Sequence, residues 1–188
     1  MAGNRPSSRA RRAAEAPQDA FSAGLAMLAR RPYSVAEIRR ALERKFSAGP
    51  KVETAIARLR ELKYLDDRKF AELYAASLVR NRAFGRARTR RELKAKLVDY
   101  RTIEPALDGV YQDASESQLL ERVLDLKLRT SLHGRLPLTR TRFYTLCQSL
   151  LRRGFRSDDI MKAVRSRPEL KPVAEDVEPA DLEAPGTN

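Results

Sequence analysis

Two neighbouring carboxylates, Asp66 and Asp67, are the first residues in this chain that could do acid–base work. General acid–base chemistry needs a pair whose environments drive their pKa values apart. Here Asp66 opens an apolar-periodic segment and is flanked by Leu65 and Phe70, the arrangement of an N-cap inside a hydrophobic staple. The pair reads as helix-starting hardware. His133 and Cys147 stand alone, without further ligands or an oriented partner base. A structural zinc site takes about four ligands, and a thiol nucleophile needs a positioned base, so neither residue suggests a metal or a reaction. Cys147, beside Leu146 and near Leu150, reads as a small apolar filler. Tyr33, Phe70 and Tyr74 fall at apolar helical spacings and read as core. No Gly-rich phosphate loop is present, so no ATP site is expected. The expectation is a chain with no enzymatic activity, cofactor or metal.

The chemistry that does stand out is cationic. Arg80, Arg82, Arg86, Arg88, Arg90, Arg91, Lys94 and Lys96 form the densest basic run, with Glu92 the only acid among them. If Thr89, Leu93 and Leu97 face the core of a helix, Arg91 lies about 200° from Leu93 at ~100° per residue. Arg88 and Lys94, three residues to either side of Arg91, then share its solvent face. Like charges on one helix face oppose the helix, so a counter-charge is physically useful. A second cluster is Arg140, Arg142, Arg152, Arg153 and Arg156. The candidate binding set is therefore Arg80, Arg82, Arg86, Arg88, Arg91, Lys94, Arg140, Arg142, Arg152, Arg153 and Arg156, with the two clusters lining one concave side if the helices coil regularly.

Composition agrees with a polyanion-facing protein. Over 188 residues the net charge is +13, and of the 38 bases nine are Lys and 29 Arg. Residues 169–188 hold six acids and one base, so the tail carries −5 and residues 1–168 carry +18. So positive a body commonly meets nucleic acid or an acidic partner, and Arg suits phosphate and carboxylate through its planar donor fork. A single cysteine excludes an internal disulfide and fits a reducing compartment. No apolar run approaches the roughly 18–20 residues of a membrane span. Cytoplasm and a monomer are the expectations.

The elements that would position these residues repeat. Leu42, Leu93 and Leu150 are each followed three residues on by a base (Lys45, Lys96, Arg153), and ten on by Val52, Ile103 and Ile160. The unit is about fifty residues long and reads as three helices. Phe21, Leu25 and Leu28 mark the first apolar stripe. Ser34 with Glu37 has capping-box spacing, and Pro105 is placed in the first turn of a helix, where proline is tolerated. The expected fold is all-α, an elongated, curved array of three tandem three-helix repeats at 19–64, 65–113 and 114–167. A disordered basic arm (1–18) and a disordered, acidic, Pro-rich tail (168–188) flank it.

At this point the residues resemble a known family. The run Leu28-Ala29-Arg30-Arg31-Pro32-Tyr33-Ser34, continuing to Glu37-Ile38 and Leu42, looks like the opening of RecX proteins. Tyr64-Leu65-Asp66-Asp67-Arg68-Lys69-Phe70-Ala71 resembles that family's most recognisable motif, with Arg80, Gly85 and Glu92-Leu93…Lys96 following at the expected distance. Leu150…Arg153-Gly154-Phe155 matches more loosely, and the resemblance spans about residues 20–166. Where the family often has Gly closing the middle unit's second helix, this chain has Leu97. The resemblance implies a regulator that binds the groove of the RecA–DNA filament and restrains recombinase, ATPase and coprotease activities in homologous recombination, DNA repair and the SOS response. Its implied partners are the RecA filament and single- or double-stranded DNA, held weakly and without sequence preference. The alternative is a helical nucleic-acid-binding regulator, such as a helix-turn-helix protein, acting directly on DNA. The Arg88–Lys94 face lacks the Asn and Gln that read base edges, which favours backbone or groove contacts.

Overall fold

The computed structural model describes residues 19–113, 115–131, 138–175 and 177–183, and all regular structure among them is helical. The expected basic arm, 1–18, lies outside the described residues, as does His133. The chain divides into two compact units: residues 1–70 with 96–98, and residues 71–95 with 99–188.

In the first unit, α1 (Ala20–Leu28), α2 (Val35–Phe46) and α3 (Pro50–Glu61) pack on one another. Each start is fixed locally. Asp19 accepts the Ser22 N–H at 2.8 Å. Ser34 and Glu37 form the anticipated capping box, with both reciprocal hydrogen bonds present. Pro50, with no N–H to lose, opens α3. The core is Val35, Ile38, Leu42, Val52, Ile56, Leu59 and Leu65.

Helix α1 departs from its anticipated face. Ala20, Ala23 and Gly24 are its buried residues, while Phe21, Leu25 and Leu28 are only half-buried against the core edge. The reason is proximity. A Cβ on Gly24 would stand 2.7 Å from Leu59 Cδ1, so the α1–α3 contact admits only small residues. Phe21 instead lies under the Arg58 guanidinium, 4.5 Å from the ring centre.

The second unit holds most of α4 (Asp67–Arg82), then α5 (Arg86–Ala95), α6 (Tyr100–Asp113), α7 (Glu116–Ser131), α8 (Arg140–Arg152) and α9 (Ser157–Arg165). Asp66 caps α4 as expected, accepting from Arg68 N and Lys69 N at 2.9 and 3.1 Å. Helix α6 begins three residues before Ile103, because Asp99 caps it through Arg101 N at 2.8 Å. Pro105 therefore lies inside the helix and not in its first turn. Its missing N–H leaves the Arg101 carbonyl without the usual helical donor. Leu97, where the resemblance expects glycine, has φ +61°, the left-handed conformation that ends the segment.

The acidic segment is not a free tail over its described length. Helices α10 (Lys171–Ala174) and α11 (Pro179–Glu183) pack on α8 and α9, and Leu170, Ala174, Val177 and Leu182 are at most 1% exposed. Gln148 Nε2 donates to the Leu182 carbonyl at 2.6 Å, and the Arg165 guanidinium to the Val177 carbonyl at 2.8 Å. The prolines and acids that suggested disorder sit around four apolar anchors sufficient to seat the chain.

Candidate functional site

The Asp66–Asp67 pair divides its labour between two helices. Asp66 caps α4, and Asp67 Oδ1 accepts the backbone N–H of Val35 at 2.8 Å, at the start of α2. Beside it, Ser34 Oγ donates to the Lys96 carbonyl at 2.5 Å, and Glu37 receives Lys96 Nζ at 3.1 Å and the Arg31 guanidinium at 3.3 Å. These carboxylates terminate helices. Among the described residues no group of three or more His, Cys, Asp and Glu is placed to hold a metal, and Cys147 is fully buried with its thiol pushed up to about 12 by desolvation.

The arginines of α5 fall into two populations. Arg86 and Arg90 hold α5 to α6: Arg90 meets Glu104 through two bonds of 2.6 and 2.9 Å, and Arg86 reaches Glu104 at 3.2 Å and Asp108 at 2.5 Å. The paired cations keep the Glu104 carboxyl below its ordinary value. Arg88 is half-committed, bonded to Glu92 at 2.7 Å with its guanidinium 5.4 Å from the Phe84 ring centre. Glu92 is thus the counter-charge that the stripe requires. Arg91 and Lys94 are exposed and have no carboxylate partner among the described residues; Lys94 Nζ stands 5.7 Å from the ring centre of Tyr100, itself 58% exposed.

The two cationic clusters meet at a pair of turns. The α4–α5 turn lies against the α8–α9 turn: Gly85 N donates to the Arg153 carbonyl at 2.8 Å, and Ala87 N to the Gly154 carbonyl at 3.3 Å. Arg153 then returns a guanidinium bond to the Arg82 carbonyl at 2.5 Å. Both glycines are required, because a Cβ on Gly85 would be 2.6 Å from the Gly154 oxygen, and one on Gly154 would strike the Arg88 backbone. Glu116 closes the junction, accepting Arg86 N at 2.7 Å; burial raises its carboxyl, and the hydrogen bond partly offsets the rise. Thr89, fully buried, shares its hydroxyl with Tyr111 at 2.9 Å, and Tyr111 donates to the Phe84 carbonyl at 2.7 Å.

Arg82, Arg88, Arg152 and Arg153 are therefore gathered at the junction, with Arg156 at the start of α9 pairing loosely with Asp158 at 3.7 Å. Arg140 and Arg142 are not. They occupy the opposite end of the 13-residue α8, on the order of 15 Å away along its axis, where Arg140 lies 5.9 Å from the Tyr144 ring centre. Sequence reasoning missed Lys127, whose ammonium is depressed first by burial and then by the charges of Arg153 and Arg152. It also missed Arg122, which with Arg80 borders a groove of α4 and α7, and Tyr100. Lys127 and Arg122 are isolated bases within α7, and only their α7 address beside α4 and α8 gives them company.

Comparison with known proteins matches two stretches of this chain. Residues 20–59 match the family model "RecX, first three-helix domain", and residues 66–107 match "RecX, second three-helix domain". The "Regulatory protein RecX" of Stenotrophomonas maltophilia is 33% identical over 168 residues, covering 87% of this chain and 95% of that protein. The protein of the same name from Chlorobaculum tepidum is 35% identical over 111 residues, covering 59% of this chain and 67% of its own. The crystal structure of RecX from Lactobacillus salivarius superposes with a TM-score of 0.67 at 21% identity, over 81% of this chain and 94% of that one. Two matched three-helix domains and a relative aligned over nearly its whole length place this chain in the RecX family of regulatory proteins.

Proposed function

We propose that this chain acts on the RecA–DNA filament, restraining its recombinase, ATPase and coprotease activities without chemistry of its own. The observation that carries the reading is the junction of the α4–α5 and α8–α9 turns, where cations from four helices converge with few carboxylates to satisfy them. Such a cluster is costly in the free protein and is relieved by a polyanion, whose phosphates also accept the two-toothed Arg contacts. Arg86 and Arg90, being neutralised by Glu104 and Asp108, belong to the scaffold.

A direct nucleic-acid regulator is the second reading. The exposed Tyr100 beside Lys94 favours it, because a ring next to a cation can stack an unpaired base. One experiment separates the two. Purified protein is added to RecA-coated single-stranded DNA and, separately, to bare single- and double-stranded DNA, with binding and ATP turnover recorded. The filament reading expects strong binding and inhibition on coated DNA and weak, salt-sensitive binding on bare DNA. Reversing the exposed junction cations Arg82 and Arg152 to Glu should weaken inhibition by about tenfold or more, with helicity unchanged. Full inhibition by that variant removes the junction from the mechanism. Tight, sequence-selective binding to bare duplex selects the second reading.

A further inference from the structure

Beside the cationic junction, the second unit carries a groove of different chemistry. It holds about 550 Å³ between α4, α6 and α7, and its floor is apolar: Ala76 and Val79, Val110, then Leu119, Val123 and Leu126. Leu126 is 59% exposed at its edge, and Leu73, also 59% exposed, continues the Ala76–Arg80 face of α4 by helical spacing. Leucines left this open on two neighbouring helices mark an unfilled contact surface. Its polar border is entirely cationic. Arg80 stands on the α4 side and Arg122 on the α7 side, both exposed and neither with a carboxylate partner among the described residues.

We infer that this groove docks an acidic amphipathic helix of a partner protein, with large apolar side chains on one face and carboxylates flanking them. The apolar floor takes the side chains, and Arg80 and Arg122 receive the carboxylates as forked, charge-assisted hydrogen bonds. The docked segment is a helix because the surrounding surface is built of helices and no strand edge exists among the described residues for an extended peptide to pair with. A nucleic acid has phosphates for the border, but its bases favour aromatic platforms, and the floor is aliphatic throughout. A second copy of this chain, related by a twofold axis, would set the cationic border against itself. The chain's own acidic segment is already engaged elsewhere, with Leu182 buried on α8 and its carbonyl bonded to Gln148. Arg80 is thereby assigned to a protein contact and not to the phosphate-facing set. The inference goes beyond the filament reading and does not depend on it.

The test uses the full chain, without DNA or recombinase, and fluorescence anisotropy of a labelled helical peptide of about 16 residues, roughly four turns. That peptide carries Leu at positions i, i+4 and i+7 with Glu on either side. Two controls replace every Glu by Lys, or every Leu by Ser. The acidic leucine peptide should bind, and both controls should bind at least about tenfold more weakly. Leu126→Glu and the double variant Arg80→Glu/Arg122→Glu should each cut binding by a similar factor while circular dichroism stays unchanged. All three positions are solvent-exposed, so folding survives them. The proposal is overturned if no peptide binds or if the serine peptide binds equally well. Binding that the variants leave intact overturns it too. So does dimerisation, or capture of anionic vesicles, that depends on the same residues while the peptide is ignored.

Discussion

Lys63 and Gly154 occupy the same position in two helix endings and meet opposite demands. After α3, Tyr64 N reaches back to the Leu59 carbonyl and Lys63 N to that of Arg60, both at 2.9 Å; after α8, Phe155 N and Gly154 N bond the Leu150 and Leu151 carbonyls at 3.4 and 2.8 Å. Each is a Schellman turn, whose pivotal residue must be left-handed, and the two have φ +58° and +91°. Lys63 is exposed, so its side chain holds little that would be lost. Lys63→Gly relieves about 1–2 kcal/mol of left-handed strain against ~0.5–1 kcal/mol of unfolded-chain entropy. The expected net gain is about 0.5–1 kcal/mol, read as a rise in the urea midpoint at constant slope. Gly154→Ala incurs the same strain and also drives a methyl into the Arg88 backbone, 2.9 Å from its Cα. Backbone cannot rotate away as a side chain can, so the loss should be about 3 kcal/mol or more. A Gly154→Ala protein as stable as the parent would mean that the two turns are not in contact.

At the scale of elements, carboxylates clamp helices that are distant in sequence, and this ties stability to pH. Glu104 is lowered by hydrogen bonds from Arg90 and Arg86; burial alone would raise Glu37, but Arg31, Lys96 and the Ser34 N–H outweigh it. A carboxyl whose folded pKa is depressed contributes stability above its unfolded value, near 4.5, and loses it as pH falls through the folded value. Glu116 has the opposite sign, because burial raises it and its protonation favours the folded state. The melting temperature should therefore fall below about pH 4.5. Glu104→Gln should lower it at neutral pH and flatten the fall, whereas Glu116→Gln should act above about pH 4.5, removing the stability that the parent gains there as Glu116 takes up its proton. Equal slopes in all three proteins would show that these contacts are not maintained in solution. The same distances explain what sequence could reveal. Ser34–Glu37 and Asp66–Lys69 are three residues apart, so their hydrogen bonds are written locally and were legible. Arg86–Glu104 and Val35–Asp67 are separated by 18 and 32 residues, and no spacing rule pairs them. The basic run on α5 was legible as a run, but its division into tied and free arginines depends on where α6 presents Glu104 and Asp108. On α1 the largest side chains mark the apolar stripe in the sequence, yet close approach to Leu59 selects Gly24 for the buried face, beside Ala20 and Ala23.

For the whole molecule, the arithmetic of charge and the arithmetic of burial lead to different views of residues 168–183. By charge the segment is a counterweight, −5 over 169–188 against +18 on the remainder. By burial it is part of the second unit's core, sharing one cluster with Phe143, Leu150 and Ile160. Pattern alone favours the first view because the anchors at 170, 174 and 177 hold helical spacing for only two turns among prolines and acids, and 182 falls out of step with them. The two contributions separate experimentally. Deleting residues 168–188 removes four buried side chains, two of them leucines worth about 1.5–3 kcal/mol each as an upper range. Truncation should therefore destabilise the unit by on the order of 5 kcal/mol and expose apolar surface to dye. Neutralising only the exposed acids, by Glu175→Gln, Glu178→Gln and Asp181→Asn, leaves the anchors and keeps an oxygen at 181 to accept Glu178 N. That variant should melt within about 1 kcal/mol of the parent, since the single ion pairs it loses, to Arg165 and Lys171, are long and exposed. If the acids also screen the basic body, its affinity for bare DNA should rise at low salt and converge on the parent's as salt is added. A truncated chain that melts like the full one would return the segment to the role of a charged appendage, because no buried leucine can be removed without a thermal signature.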